Sequence, residues 1–139
     1  MNLHLEVFTK LSSVYSHLNK KLDRYLGAMH GLGVSEFRVL SELNSVPNAT
    51  MSRIELAERL SLTASGVTRL VNPMEKIGLV EKMANDRDAR VSLVVLGDTG
   101  RTRLQEAVEG VNHVMRSSLE QLSSDEMNVL KSILSKLPS

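Results

Sequence analysis

Apolar residues recur every three or four positions along most of the chain, which is the spacing of amphipathic helices. The first such stretch runs from residue 3 to about 28 and predicts one long helix. Its recurring apolar positions are Leu11, Tyr15, Leu18, Leu22 and Leu26. Gly27, Gly31 and Gly33 then interrupt the pattern. Ser35 is placed to cap a short second helix, whose apolar positions are Phe37, Leu40 and Leu43.

Two further helices follow each other with almost no linker between them. Ser52 and Glu55 have the spacing of a capping box, which predicts that a helix starts here. Thr63 is a good N-cap for the next helix, and only Ser61 and Leu62 separate it from the end of the first one. Helices joined this tightly have to cross at a steep angle.

The helix that follows Thr63 has one apolar and one polar face. We expect its apolar stripe to be buried, and the stripe consists of Val67, Leu70, Val71, Met74 and Ile77. The opposite face offers hydrogen-bond donors and no acid, and it consists of Ser65, Thr68, Arg69, Asn72 and Lys76. Gly78 is expected to end this helix in the left-handed conformation.

Two strands rich in β-branched residues come next, at Leu79–Met83 and Val91–Leu96, joined by a charged loop at 84–89. A long helix is then predicted from about Asp98 to Leu122. Ser123 and Glu126 have the spacing of a capping box for one more helix.

The predicted fold class is mainly α, with a small β-hairpin. The order of helix, tight turn, helix, glycine and hairpin is that of a winged helix-turn-helix. With 139 residues we expect a single domain over 1–139, in which 35–97 form the winged helix-turn-helix region.

Composition excludes several other classes of protein. The chain has no cysteine, so disulfides and thiolate zinc sites are ruled out. Its four histidines are not spaced as metal ligands, and no catalytic motif or cofactor-binding loop is present, so we expect no enzyme, no metal and no cofactor. No signal peptide and no apolar stretch of about 20 residues is found, so we expect a cytoplasmic protein without a membrane partner.

The polar face of the helix after Thr63 suits the major groove of a DNA duplex. Small side chains allow a close approach, and an arginine can bond guanine O6 and N7. Arg87 and Arg90, at the hairpin loop, could enter the adjacent minor groove, with Asp88 holding Arg90 in position. Each feature also has an ordinary explanation, namely a solvated amphipathic helix and a surface ion pair.

Three segments together resemble the MarR family of transcriptional regulators. LTASGVTRLV at 62–71, followed by MEKIGLV at 74–80, is similar to the recognition helix and wing start of that family. Asp88-Ala89-Arg90, six residues before Leu96, is similar to its wing signature, and LAERL at 56–60 to the preceding helix. These motifs cover about 52 to 100, while length and element order agree over nearly the whole chain.

The chain departs from the family pattern at three positions. Ser61 stands where the family often has Gly, so a left-handed residue there costs about 1 kcal/mol. Gly97 replaces the usual Thr as a helix N-cap. Pro73 lies inside the recognition helix and is expected to kink it beyond its first two turns.

The resemblance implies a homodimer in which N- and C-terminal helices, 1–30 and 98–139, interleave. The side chains expected in that interface are Leu11, Leu18, Leu22, Leu119, Leu122, Leu130 and Leu134. The residues expected to contact double-stranded DNA are Thr63, Ala64, Ser65, Thr68, Arg69, Arg87, Asp88 and Arg90. A dimer predicts an inverted-repeat operator with half-sites about one turn apart. The resemblance also implies a small aromatic or anionic effector.

The leading hypothesis is therefore a dimeric DNA-binding regulator that acts as a repressor. The alternative is a winged-helix module that binds proteins and has lost DNA binding. Salt separates the two hypotheses, because binding through phosphate contacts weakens steeply as salt rises.

Overall fold

The computed structural model describes residues 2–139; Met1, which begins the range expected to dimerise, lies outside the described residues. Over 2–139 the chain forms six α-helices, one 3-10 turn at Pro47–Ala49 and three strands. The helices are α1 (Leu3–His30), α2 (Val34–Asn44), α3 (Arg53–Leu60), α4 (Ala64–Lys76), α5 (Asp98–Ser118) and α6 (Ser124–Leu134). The strands are β1 (Thr50–Ser52), β2 (Val80–Ala84) and β3 (Ser92–Leu96). None of the described helices is both long enough and apolar enough to span a membrane.

The start of α2 differs from the prediction. Gly33, not Ser35, is the N-cap, and its backbone N–H donates to Glu36 Oε1 at 2.7 Å. The next backbone N–H, of Val34, donates to Asp23 Oδ1 of α1 at 2.9 Å. A carboxylate from another helix thus satisfies a free donor at this helix end, which the local sequence could not indicate.

The predicted helix-turn-helix is confirmed. Ser52 Oγ accepts from the Glu55 backbone N–H at 3.1 Å and begins α3. Ser61 ends α3 in the left-handed region, with φ at 54°, although it is not glycine. The backbone N–H of Leu62 donates to the Ala57 carbonyl at 2.9 Å, which closes the turn, and Thr63 then caps α4.

The sheet has the order β1-β3-β2, with both pairings antiparallel. The hairpin of β2 and β3 was predicted, and each of these strands begins one residue later than expected. Strand β1 was not predicted, since three residues are too few to show alternation. It places Met51 opposite Val94, on the other side of β3 from Lys82.

One apolar core joins all the elements of the central region. It includes Leu26 of α1, Leu40 of α2, Leu56 of α3, Met74 of α4 and Leu104 of α5. These side chains are almost completely buried, so the packing of the apolar face of α4 against the core fixes the orientation of this helix.

The predicted buried stripe of α4 is confirmed at Val67, Val71 and Met74 and is wrong at Ile77, which is 58% exposed. The left-handed Gly78 follows and turns the chain, so Leu79 fills the core in its place.

Other helix boundaries depart from expectation by a few residues. Gly27 lies inside α1, and the helix ends at Gly31, where φ is 64°. Helix α5 ends at Ser118 rather than at Leu122. Helix α4 continues through Pro73 to Lys76, and the kink expected at Pro73 stays a prediction.

The first turn of α5 lies directly on the backbone that leads into β2. Gly97, the N-cap of α5, donates its backbone N–H to the Leu79 carbonyl at 3.0 Å. A Cβ at Gly100 would overlap that same carbonyl oxygen and would lie 3.0 Å from Leu40. Only glycine therefore permits this contact between α5 and the turn that follows α4.

We expect Gly100→Ala to destabilise the fold by roughly 1–3 kcal/mol, because the added methyl forces backbone apart in a filled core. Chemical denaturation at a fixed protein concentration measures this. The matched control is Gly27→Ala, in α1, where an added Cβ meets nothing within 4 Å. This control should stabilise by about 0.5–1 kcal/mol, since alanine favours helix. Equal unfolding midpoints for the two variants would contradict the proposed contact.

Candidate nucleic-acid interface

The N-terminus of α4 is exposed and capped. Thr63 Oγ1 accepts from the Gly66 backbone N–H at 3.0 Å and lies 3.3 Å from Ser65 Oγ. Thr63, Ala64 and Ser65 are all exposed, and no acidic residue lies in the first turn. The partial positive charge of this helix end is consequently open to an anion.

The polar face of α4 divides into exposed and half-buried side chains. Ser65 and Arg69 are exposed, whereas Thr68 and Asn72 are half-buried. Arg53 from α3 binds both of the latter: its Nη1 donates to Thr68 Oγ1 at 2.7 Å, and its Nη2 donates to Asn72 Oδ1 at 3.2 Å.

Arg53 is a residue of this surface that the sequence analysis missed. It is the first residue of α3, immediately after the Ser52 cap. Its position in the helix-turn-helix was available from the sequence, but the pairing spans 15 and 19 residues and has no local signal. No carboxylate lies within 4.0 Å of its guanidinium among residues 2–139.

The hairpin loop holds an arginine in a fixed arrangement, as the sequence predicted. Arg90 donates to Asp88 Oδ1 from Nε at 3.1 Å and to Oδ2 from Nη2 at 3.3 Å. The Arg90 backbone N–H also donates to Asp88 Oδ1, at 3.0 Å. The Arg90 guanidinium, and after it this backbone N–H, lower the pKa of the Asp88 carboxyl from its ordinary value. Asp88 therefore stays ionised, while the Arg90 side chain remains 91% exposed.

A second ion pair attaches the hairpin to α4. Lys82 Nζ of β2 lies 3.3 Å from Glu75 Oε2 of α4. At the hairpin loop, the Arg87 backbone N–H donates to Asn85 Oδ1 at 2.8 Å, and the Arg87 side chain is exposed. The eight residues predicted to contact DNA thus lie in two places, at the start of α4 and in the loop between β2 and β3, and the Lys82–Glu75 ion pair joins β2 to the C-terminal half of α4.

The seven leucines expected at the dimer interface are less uniform. Leu11, Leu130 and Leu134 are exposed, between 38% and 42%. The other four, Leu18, Leu22, Leu119 and Leu122, are half-buried. Leu22 packs against the core of its own chain.

A cavity of about 390 Å³ lies between α1 and α5. Lys21, Arg24, Tyr25 and His113 line it, together with apolar side chains of both helices. The Tyr25 side chain is held on both sides, because its hydroxyl lies 3.1 Å from His30 Nε2 and its ring lies over Gly110. Any Cβ at Gly110 would overlap the Tyr25 side chain.

The sequence profile of the MarR family matches residues 30–91, which include every predicted DNA contact and Arg53. YetL, a transcriptional repressor from Bacillus subtilis, is 26% identical over 133 residues, which is 96% of this chain and 79% of YetL.

Solved structures of the same family are similar over their length. Sco3205, a MarR family transcriptional regulator from Streptomyces coelicolor in complex with DNA, has a TM-score of 0.86 at 23% identity, covering 94% of this chain and 82% of Sco3205. A mutant MarR from Escherichia coli complexed with operator DNA has a TM-score of 0.85 at 24% identity, covering 99% of this chain and 100% of that one. Because both identities are below 25%, these two structures support the assignment of the fold alone.

Proposed function

Because the MarR family model matches residues 30–91 and curated relatives such as YetL are transcriptional repressors, we propose that the chain is a winged helix-turn-helix regulator of this family and acts as a dimeric, sequence-specific DNA-binding repressor in the cytoplasm. The observation that carries the proposal is the exposed face of α4, which offers donors, has no acid in its first turn and starts at a capped N-terminus. The DNA-binding region is 35–97.

The N-terminal half of α4 is proposed to lie in the major groove. Thr63 and Ala64 are small enough for the helix end to come close to the phosphates, where its free N–H groups attract negative charge. Ser65, Thr68 and Arg69 would then reach base edges, with Arg69 able to bond guanine O6 and N7.

The hairpin is proposed to place Arg90 in the neighbouring minor groove. Asp88 accepts hydrogen bonds from two nitrogens of the Arg90 guanidinium, and the Arg90 side chain stays exposed. The guanidinium is therefore pre-organised before DNA binds. Arg87 is the second cation of the loop. Arginines are favoured in narrow minor grooves because the negative potential is concentrated there.

The proposed dimer partner is a second copy of the chain, held by the helices of 1–30 and 98–139. Every residue of α6 is exposed, although five of its eleven residues are large and apolar. They are Met127, Val129, Leu130, Ile133 and Leu134. A helix of this length is not stable in water without packing. The first half of α1 is equally exposed, so the two apolar surfaces can cover each other across a two-fold axis.

A two-fold dimer presents two α4 helices to one face of a duplex. The operator is accordingly proposed to be an inverted repeat, with half-sites about one helical turn apart. Occlusion of a promoter needs no further protein surface, and the relative YetL is named a repressor. Both points support repression.

The cavity between α1 and α5 is the proposed site of an effector. Its volume is within the range of about 300–1,000 Å³ that small ligands occupy. Lys21 and Arg24 supply positive charge, while Tyr25 and its apolar neighbours supply a surface for a ring. This chemistry suits a small aromatic anion.

We expect Arg90→Ala to weaken operator binding roughly ten-fold or more with the fold intact, and Arg69→Ala to relax base preference. Duplexes selected from a random pool supply the operator, and a gel-shift salt series measures affinity. The control is Lys20→Ala, an exposed cation of α1. If Arg90→Ala binds as tightly as the control at every salt concentration, the hairpin has no part in binding. No salt-dependent binding by the unaltered protein would favour a protein-interaction module.

We expect Leu134→Asp, in α6, to convert the dimer to a monomer or to raise its dissociation constant at least a hundred-fold, because a charge would be buried without a partner. Sedimentation equilibrium measures this. Ile77→Asp is the matched control, since Ile77 is a similarly exposed apolar residue outside the dimerisation helices. A monomer in the unaltered protein, or equal effects of both substitutions, would refute the proposed interface.

We expect benzoate, as the simplest aromatic anion, to release the duplex at millimolar concentration, and Arg24→Gln to raise the concentration needed at least ten-fold. The physical reason is the loss of a hydrogen bond between charged groups. Release is measured by fluorescence anisotropy of labelled operator. Lys10→Gln is the control, because it removes a charge from the same helix outside the cavity. An equal response of both variants would place the effector elsewhere.

A further inference from the structure

We propose that Arg53 sets the hydrogen-bonding polarity of α4, so that Thr68 and Asn72 meet the duplex as donors and select base edges rich in acceptors. The inference rests on the proposed function, because it needs α4 in the major groove. Arg53 of α3 would act in this way through Thr68 and Asn72, without touching a base itself.

The geometry brings one planar group against two side chains of α4. Two different nitrogens of Arg53 are used, Nη1 for Thr68 Oγ1 at 2.7 Å and Nη2 for Asn72 Oδ1 at 3.2 Å. Thr68 and Asn72 are four residues apart, so they lie one above the other on the same helix face. A rigid guanidinium spans this interval, and a point charge such as an ammonium does not.

The bonded partner decides what each side chain has left to offer. A guanidinium has five N–H donors and no acceptor, so both oxygens must accept from it. The Thr68 hydroxyl proton is then free to donate elsewhere, and Asn72 keeps both hydrogens of Nδ2 unengaged by Arg53. Without Arg53 a threonine hydroxyl can rotate to donate or accept, and an amide can turn over, so neither side chain would have a fixed polarity.

A surface of donors discriminates between bases. In the major groove guanine presents the acceptors N7 and O6, and thymine presents O4, whereas cytosine presents only a donor. Arg69 on the same helix is also a donor. Adenine presents the acceptor N7 beside the N6 donor. We therefore infer that the base facing Thr68 offers an acceptor, from guanine, thymine or adenine N7, and is not cytosine.

A phosphate contact is the competing role for Arg53. Its charge has no carboxylate partner within 4.0 Å in the described part of the chain, and three of its N–H groups are not used by Thr68 or Asn72. A phosphate contact carries no base preference and adds about 0.9 to the slope of log affinity against log salt. The two roles are therefore separable.

The deciding variant is Arg53→Lys, which keeps the positive charge and loses the planar guanidinium with its two separate donor nitrogens. Its matched control is Arg59→Lys, on the same helix, where the arginine bridges Glu42 and Glu55 away from α4. Sequences are selected from a random duplex pool, and affinities are then measured on the consensus and on its single-base variants. We expect Arg53→Lys to lower discrimination at one position of each half-site about ten-fold, with the salt slope unchanged. Arg59→Lys should discriminate as the unaltered protein does.

Thr68→Val provides an independent readout. It should lower discrimination at the same position when Arg53 is present and add little in the Arg53→Lys background, since the two residues act as a unit. Full discrimination by Arg53→Lys, or additive losses in the double variant, would overturn the inference.

If Arg53→Lys does not fold, as judged by circular dichroism, Asn72→Asp replaces it. Asn72→Asp still accepts from Arg53 but has no donor left for a base, so unchanged discrimination would equally overturn the inference.

The failure of this inference is distinct from failure of the proposed function. If the unaltered protein selects no duplex, both are wrong. If it selects a two-fold symmetric consensus and Arg53→Lys selects the same one with equal stringency, only the role of Arg53 is wrong.

Discussion

The contact between the first turn of α5 and the Leu79 carbonyl is the constraint on which the candidate DNA-binding surface depends. Leu79 lies between two elements of that surface, since Gly78 ends α4 and Val80 begins β2. Gly97 and Gly100 allow α5 to lie against this point at backbone distance. The position of α4, the direction of the hairpin and the start of the long helix are therefore set together, and none can move alone.

The same helix is closely packed a second time, ten residues further on, where Gly110 lies under the Tyr25 side chain. Ten residues of α-helix span about 15 Å, so α5 is a rigid connection between the α1 contact and the Leu79 contact. The cavity proposed for an effector lies beside Tyr25. A ligand that displaced α1 from α5 would thus act on the helix that contacts the start of the hairpin. A small shift would then reach the candidate DNA-binding surface through backbone contacts rather than through a flexible linker.

Much of this architecture could be predicted because its signals are local. The N-caps Ser52, Thr63 and Ser123 and the left-handed Gly78 follow from residue type and spacing, and the structure confirms them. The errors arise where distant groups intervene. Asp23 of α1 caps α2 and moves its start from Ser35 to Gly33, and Leu79 replaces Ile77 in the core because the chain turns at Gly78. Strand β1 exists only because β3 pairs with it.

The candidate DNA-binding surface shows the same limit in chemical rather than geometric terms. Helical periodicity is enough to place Ser65, Thr68 and Arg69 on one face, and the hairpin motif is enough to pair Asp88 with Arg90. Periodicity does not state whether a threonine or an asparagine on that face donates or accepts. That property depends on Arg53, a residue 15 positions before Thr68 in a different helix. A list of residue types is therefore an incomplete description of what a helix face can bond, because the neighbouring helix determines which of their atoms remain free to donate or accept.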